Sequence, residues 1–139
     1  MKNIIYLSGI LLSGIIMVTG CKKTDSGTGI NVNAVAPTVT TVTVTNIAAP
    51  IATAGGTITS DGGSIVMEAG VCYDTVAGVT TATHKKIAYT VSGTYTVTLD
   101  SLVMGKTYYC KAYAINEKGT SYGSELSFFV PYSINGYYS

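Results

Sequence analysis

Beyond residue 37 the sequence consists of short runs in which apolar and polar residues alternate, separated by Gly, Asp and Asn. Alternation with a period of two places successive side chains on opposite faces of a β-strand. The clearest run is Gly93–Leu99, in which Tyr95, Val97 and Leu99 share one face. The pattern predicts seven strands, at residues 42–45, 51–59, 65–73, 86–91, 93–99, 107–115 and 124–130.

The composition fits the same fold class. The chain contains 11 Tyr against 2 Phe, no Trp and 16 Gly. Val, Ile, Thr and Tyr pack well on a pleated surface, and Gly separates the runs that they form. No segment after residue 21 has a helical period. Together these features predict an all-β fold, an antiparallel β-sandwich of about seven strands.

The first 21 residues have a different pattern. Lys2 precedes an uncharged apolar run, as in an export signal, and the run is shorter than the ~20 residues of a membrane span. It ends in Val18-Thr19-Gly20-Cys21, which resembles the lipobox of bacterial lipoproteins. The resemblance implies that the Cys21 thiol carries diacylglycerol and that cleavage leaves it as the N-terminus. The alternatives are an ordinary signal with a chance cysteine and a plain membrane anchor.

A second resemblance covers most of the remaining chain. The segment Leu102-Val103-Met104-Gly105-Lys106-Thr107-Tyr108 is similar to the Leu-x-Pro-Gly-x-x-Tyr turn of fibronectin type III domains, with Met in place of Pro. AGVCYDT and GKTYYCKAYAINEKGTSYG are similar to a subfamily common in bacterial surface lipoproteins. The resemblance implies an immunoglobulin-like (fibronectin type III) sandwich in which Tyr108 makes the tyrosine-corner hydrogen bond to the backbone.

These features predict four segments. Residues 1–20 form the lipoprotein signal peptide, 21–36 the lipidated Cys and a flexible tether, 37–130 the fibronectin type III-like domain and 131–139 a C-terminal tail. The expected location is the bacterial cell envelope, as an outer-membrane lipoprotein that faces either the periplasm or the cell surface. Its contact with the membrane is the N-terminal lipid.

Charge and motif content exclude several functions. The formal net charge is +1 and every basic side chain is Lys, whereas nucleic-acid-binding domains normally carry a basic excess. The sequence has no nucleophile motif, phosphate-binding loop or zinc-ligand spacing. His84 lies in a polar stretch without neighbouring Ser, Asp or Glu and is expected to be exposed. We therefore expect no nucleic acid, no catalysis, no metal and no cofactor.

Cys72 and Cys110 remain once Cys21 is lipidated. Alternation places both side chains inward on neighbouring strands. They form a disulfide if their Cα atoms lie within about 7 Å of each other. The other interpretation is two buried free thiols, and both stay open at this stage.

Several tyrosines should point outward. Tyr109, Tyr113 and Tyr122 are candidates for a surface that binds a protein or glycan ligand, because exposed Tyr supplies rigid amphipathic contact area. The alternative is ordinary β-surface, where Tyr is favoured in any case. Two tripeptides, Asp74-Thr75-Val76 and Asp100-Ser101-Leu102, also match an O-glycosylation acceptor pattern of some Gram-negative bacteria.

The predicted function is a lipid-anchored envelope protein that displays one fibronectin III-like module for protein or glycan binding, or as a spacer. One alternative is a fimbria-like structural subunit that assembles by strand donation. Related precursors are often matured at an Arg, and this sequence has none. Another alternative is a carbohydrate-binding accessory module that uses surface tyrosines.

Overall fold

A computed structural model describes residues 33–133. The signal peptide, the lipobox with Cys21 and most of the tether lie outside these residues, as does the end of the tail. Eight strands are present: β1 (Thr38–Ala48), β2 (Ile51–Ser60), β3 (Glu68–Asp74), β4 (His84–Ile87), β5 (Gly93–Leu99), β6 (Thr107–Asn116), β7 (Gly119–Tyr122) and β8 (Leu126–Phe129). Nowhere between residues 33 and 133 is there a helix long and apolar enough to cross a membrane.

The strands form two antiparallel sheets that enclose one main core. One sheet has the order β1-β2-β5, and the other has the order β4-β3-β6-β7. β8 pairs with the first residues of β6 and β7 with its last, so that both lie along the same edge of β6. The predicted fold class, an all-β antiparallel sandwich, is confirmed.

The observed strands differ from the predicted seven in number and in bounds. The first strand is longer than the predicted 42–45, and residues 119–122, which lie in none of the predicted strands, form β7 and pair with the end of β6. A four-residue polar hairpin strand has too few apolar positions for alternation to identify it. The fourth strand covers His84–Ile87 instead of 86–91, since residues after Ala88 leave the sheet to reach β5.

The main core lies between the inner faces of the two sheets. The faces predicted from alternation in β5 and β6 both point inward, and their members are Tyr95, Val97, Leu99, Tyr108, Cys110, Ala112 and Ala114. The Tyr95 ring spans the core, and its hydroxyl lies 3.0 Å from the carbonyl oxygens of both Gly70 and Tyr113. A Cβ atom at Gly56 would come within 2.6 Å of that hydroxyl, so glycine leaves room for the tyrosine.

A buried amide holds the start of the described chain against the sandwich. Asn116 is 2% exposed, and its Nδ2 donates to the carbonyl oxygens of Val35 and Asp61, each at 2.8 Å. Its Oδ1 accepts hydrogen bonds from the backbone N–H groups of Lys118 at 2.8 Å and Gly119 at 3.2 Å. One side chain therefore joins the N-terminal segment, the β2–β3 loop and the β6–β7 turn.

Candidate binding surfaces

The three tyrosines proposed as a binding surface lie on the same outer face of the β3–β6–β7 sheet. Tyr113 is opposite Tyr122 across the β6–β7 pair. Tyr109 lies four residues before Tyr113 on β6 and therefore on the same face. Tyr113, however, has no exposed surface, and its hydroxyl donates to Glu68 Oε1 at 2.8 Å. The prediction of an exposed surface is therefore wrong for Tyr113, and Tyr109 is only partly exposed.

The loop at residues 75–83 covers this face. Val79 is fully buried in a small cluster with Cys72 and Tyr113, against which Tyr109 packs. Tyr122 is 37% exposed, and its hydroxyl accepts from the Thr81 N–H at 3.2 Å. The tyrosines thus support the loop, and they do not form an open aromatic platform for a sugar.

The Glu125 carboxylate also binds the loop at residues 75–83. Glu125 Oε2 accepts the N–H groups of Gly78 at 2.8 Å and Val79 at 3.0 Å, and lies 3.5 Å from Lys111 Nζ. Partial burial acts to raise the pKa of Glu125, but these two N–H groups and Lys111 outweigh it and lower the pKa. The ionised carboxylate is therefore the form that binds the loop.

A second carboxylate lies under the Tyr113 hydroxyl. Glu68 Oε1 accepts from Lys85 Nζ at 2.7 Å, which is the largest influence that lowers the pKa of Glu68. Burial, followed by the hydrogen bond to Glu68, raises the pKa of Tyr113. The phenol consequently stays protonated and donates to an ionised Glu68.

The two domain cysteines are free thiols and lie on opposite faces of their sheet. Cys72 is opposite Lys111 in the β3–β6 pair, whereas Cys110 is opposite Tyr73. Because neighbouring positions point to opposite faces, Cys110 enters the main core and Cys72 enters the outer cluster. The prediction that both point inward is wrong for Cys72, and the disulfide alternative is not formed in this register.

Tyr108 occupies the corner position inferred from the fibronectin resemblance. Its hydroxyl accepts the Val103 N–H at 3.1 Å, five residues back along the chain. The ring stacks on Phe128, with 5.8 Å between the centroids. The turn between β5 and β6 is therefore fixed to β6 and β8 with Met104 in place of the usual Pro.

An open groove of about 340 Å³ runs between β4 and β5, which end their respective sheets on the same side of the sandwich. Its lining consists of Thr53, Lys86, Ile87, Tyr89, Thr96, Val97 and Thr98. Tyr89 is fully exposed and Ile87 is 54% exposed. Sequence reasoning missed this site, because the groove depends on which strands end the two sheets.

The two edges beside this groove differ. β4 carries His84, Lys85 and Lys86, and charged side chains of this kind discourage pairing with another strand. β5 carries no charge and no Pro, and its register against β2 has no bulge. A strand of this kind has unpaired backbone N–H and C=O groups that another extended segment can bind.

A second pocket, of about 240 Å³, lies at the end of the sandwich where β3 and β5 terminate. Its lining consists of Tyr73, Asp74, Thr75, His84, Asp100, Ser101 and Tyr108. The His84 side chain is 74% exposed at the start of β4, with Nδ1 3.7 Å from Asp74 Oδ2. Among residues 33–133 no group of three or more His, Cys, Asp or Glu side chains is arranged to hold a metal ion.

No protein-family model and no curated protein matches this sequence significantly. Solved structures do match. A myokine structure is 20% identical with a TM-score of 0.51, and the match covers 71% of this chain and 99% of that one. The sensor domain of the anti-sigma factor RsgI4 of Pseudobacteroides cellulosolvens is 21% identical with a TM-score of 0.51, covering 68% and 94%. The third fibronectin III domain of the human KIAA0343 protein is 14% identical with a TM-score of 0.47, covering 83% and 99%.

At these identities the likeness concerns the fold alone. The strand order and the two neighbours with a TM-score of 0.51 agree with the fold that the sequence implied. The described residues form an immunoglobulin-like sandwich of the fibronectin type III kind, an architecture that carries many unrelated roles.

Proposed function

We propose that this protein is a lipid-anchored bacterial envelope protein that displays a single fibronectin III-like module and catalyses no reaction. The observation that carries the proposal is the Val18-Thr19-Gly20-Cys21 motif at the end of an export signal in which Lys2 precedes an uncharged apolar run. Of the three cysteines in the sequence, Cys72 and Cys110 are buried free thiols of the sandwich, and Cys21 lies outside the described residues. Acyl chains on Cys21, at about 0.8 kcal/mol per buried CH₂, would hold the domain at the outer membrane.

The absence of catalysis is supported by the fold and by the lining of the groove beside β5. Modules with immunoglobulin-like folds serve mostly as binding or spacing units, and the groove beside β5 is lined by hydroxyl, aliphatic and aromatic side chains with one Lys. Such a lining suits recognition of an extended chain better than acid–base chemistry.

The anchor is tested by fatty-acid labelling in a Gram-negative host. The wild-type protein should incorporate labelled palmitate and sediment with membranes. Cys21→Ser should lose both properties, and Cys72→Ala should keep both as the matched control. Incorporation of label into Cys21→Ser would overturn the lipid-anchor proposal.

The binding role is assigned to the groove and the free edge of β5. An extended partner segment could add to β5 as a further strand, with side chains against Ile87 and Tyr89. Tyr89 has full freedom to contact a partner, because its ring packs against none of the core. Thr96→Lys would place a charge on this edge and should abolish strand addition.

The same edge favours a second candidate, a structural subunit that polymerises by accepting a strand from another copy. Sedimentation of the mature, detergent-solubilised chain over a wide concentration range separates the two. Self-association that Thr96→Lys abolishes and Thr59→Lys preserves would favour the structural subunit. A monomer at every concentration would exclude the structural subunit and leave binding of another protein.

A further inference from the structure

Two Asp-hydroxyl pairs that are distant in sequence meet at one end of the sandwich. Asp74 is the last residue of β3 and Thr75 follows it, whereas Asp100 and Ser101 follow the end of β5. All four residues line the 240 Å³ pocket. They belong to the two tripeptides that match the O-glycosylation acceptor pattern, and the function proposed above uses neither.

In both pairs the carboxylate lies next to the hydroxyl that follows it. Thr75 Oγ1 lies 3.3 Å from Asp74 Oδ1, which also accepts the Thr75 N–H at 2.6 Å. Ser101 Oγ lies 3.5 Å from Asp100 Oδ1, while the other Asp100 oxygen binds Lys86. The Thr75 hydroxyl is therefore the closer of the two to a carboxylate oxygen, and a carboxylate can take its proton.

The third residue of each tripeptide distinguishes the two sites further. Val76 is 70% exposed, whereas Leu102 is 4% exposed and belongs to the main core. An enzyme that recognises the aliphatic residue can reach Val76 on the folded domain but not Leu102. Thr75 also begins the loop at residues 75–83, whereas Ser101 sits in a tight turn with φ +60°.

The Thr75 end of the domain is opposite the end where the chain enters it. Val35 is bonded to Gly62 and to Asn116, at the end formed by the β2–β3 loop and the β6–β7 turn. The seven residues of β5 separate the two ends by about 20 Å, at about 3.3 Å per residue. Thr75 therefore lies at the end of the domain that is remote from Val35.

We propose that Thr75 is an O-glycosylation site of the folded domain and that Ser101, with the same tripeptide pattern, is left unmodified. The donor is a glycosyl phosphate, and an envelope glycosyltransferase catalyses the transfer. Thr75 Oγ1 attacks the anomeric carbon and forms the new C–O bond as the anomeric C–O bond to phosphate breaks. The phosphate leaves with the bonding electron pair, and the hydroxyl proton passes to a carboxylate, for which Asp74 is the adjacent acceptor.

The new sugar would lie beside His84, Tyr73 and Tyr108, whose side chains form the rest of the pocket wall. The His84 and Tyr73 rings are 5.8 Å apart between centroids, and His84 is the exposed member. Tyr73 and Tyr108 are only 6% and 7% exposed, so the His84 ring is the aromatic surface that the sugar would contact.

The glycosylation proposal rests on the export that the proposed function requires. One experiment reports the lipid anchor and the glycosylation separately. The full chain is expressed in the organism that encodes it, purified from membranes, and its peptides are analysed by mass spectrometry. Acyl mass on Cys21 reports the anchor, and sugar mass on the peptide that contains Thr75 reports the modification. The variants are Thr75→Ala, Thr75→Ser, Asp74→Asn and Ser101→Ala.

Thr75→Ala should lose all sugar mass, Asp74→Asn most of it, and Ser101→Ala none, while Thr75→Ser should retain the modification. All four variants should keep the acyl mass. An acylated protein without sugar would overturn the glycosylation proposal and leave the lipid-anchor proposal intact. Sugar on Ser101 would overturn the claim that the folded domain selects Thr75.

Discussion

The Asn116 amide provides the sharpest test of how this sandwich is held together. The side chain is 2% exposed, and it uses both N–H donors and both acceptor positions of its oxygen. Asn116→Ala removes all four hydrogen bonds. The two carbonyl oxygens and two N–H groups left behind must then be hydrated or stay unpaired.

The expected cost follows from those four bonds. Each contributes about 1 kcal/mol to stability, and water entering the cavity restores part of the loss, so we expect a decrease of about 2–4 kcal/mol in the free energy of unfolding. With a urea m-value of roughly 1.5 kcal/mol per molar, the midpoint should fall by about 1.3–2.7 M. The m-value itself should stay the same, because the sandwich still forms.

Two further variants separate the hydrogen bonds from the side-chain volume. Asn116→Asp keeps the acceptors for Lys118 and Gly119 but places an oxygen against the carbonyls of Val35 and Asp61, so it should be at least as destabilising as Asn116→Ala. The control Asn46→Gly keeps a positive φ at an exposed position and loses one 3.4 Å contact. It should cost less than about 0.5 kcal/mol. If Asn116→Ala lowers the urea midpoint no more than this control does, the four Asn116 hydrogen bonds do not stabilise the sandwich.

Three other predictions concern titration, the loop and the thiols. Burial raises the pKa of both Tyr95 and Cys110 to about 12. The unfolded chain releases these protons at lower pH, from about pH 8 for the thiol, so the free energy of unfolding should be full below about pH 8 and fall steadily toward pH 12 in urea titrations. A flat profile would contradict this burial. Glu125→Ala should speed amide hydrogen exchange at Val79 by more than tenfold, because it removes that amide's acceptor. The control Glu117→Ala should leave the exchange rate unchanged. Equal rates in both variants would show that the Glu125 carboxylate does not hold the loop. The two domain thiols should react with a thiol reagent only after unfolding, and reduction should leave the intact mass unchanged; a 2 Da increase would reveal a disulfide.

The sequence allowed correct prediction of the features that depend on local alternation. Tyr95, Val97 and Leu99 share a buried face because a strand has a side-chain period of two whatever it pairs with. The corner turn was likewise accessible, since its residues are contiguous from Leu102 to Tyr108. These patterns need no knowledge of the neighbouring strand.

Features that depend on register and on loop placement could not be predicted in this way. A shift of one residue between β3 and β6 decides whether Cys72 faces Cys110 or the outer cluster, and no local pattern encodes that shift. Tyr113 points outward as alternation requires, but the loop that carries Val79 covers it. The loop contains two valines, of which Val76 is exposed and Val79 is buried, and the sequence does not show that either of them docks on the sheet.

The pocket at the ends of β3 and β5 illustrates the same limit. The two Asp-hydroxyl tripeptides are visible in the sequence, yet their convergence depends on sheet topology. The difference between Val76 and Leu102 also appears only in the fold, because both are aliphatic in the pattern and one alone enters the core. The two tripeptides are equivalent in the sequence, but in the fold only the one that contains Thr75 has an exposed third residue.

The central claim, a lipid-anchored module, is tested most directly by the intact mass of the protein extracted from native membranes. The predicted result is an N-terminus at Cys21 that carries the mass of diacylglycerol and of a further acyl chain. A chain without acyl mass, or one whose N-terminus lies at another residue, would contradict the lipid anchor and leave a secreted fibronectin III-like domain.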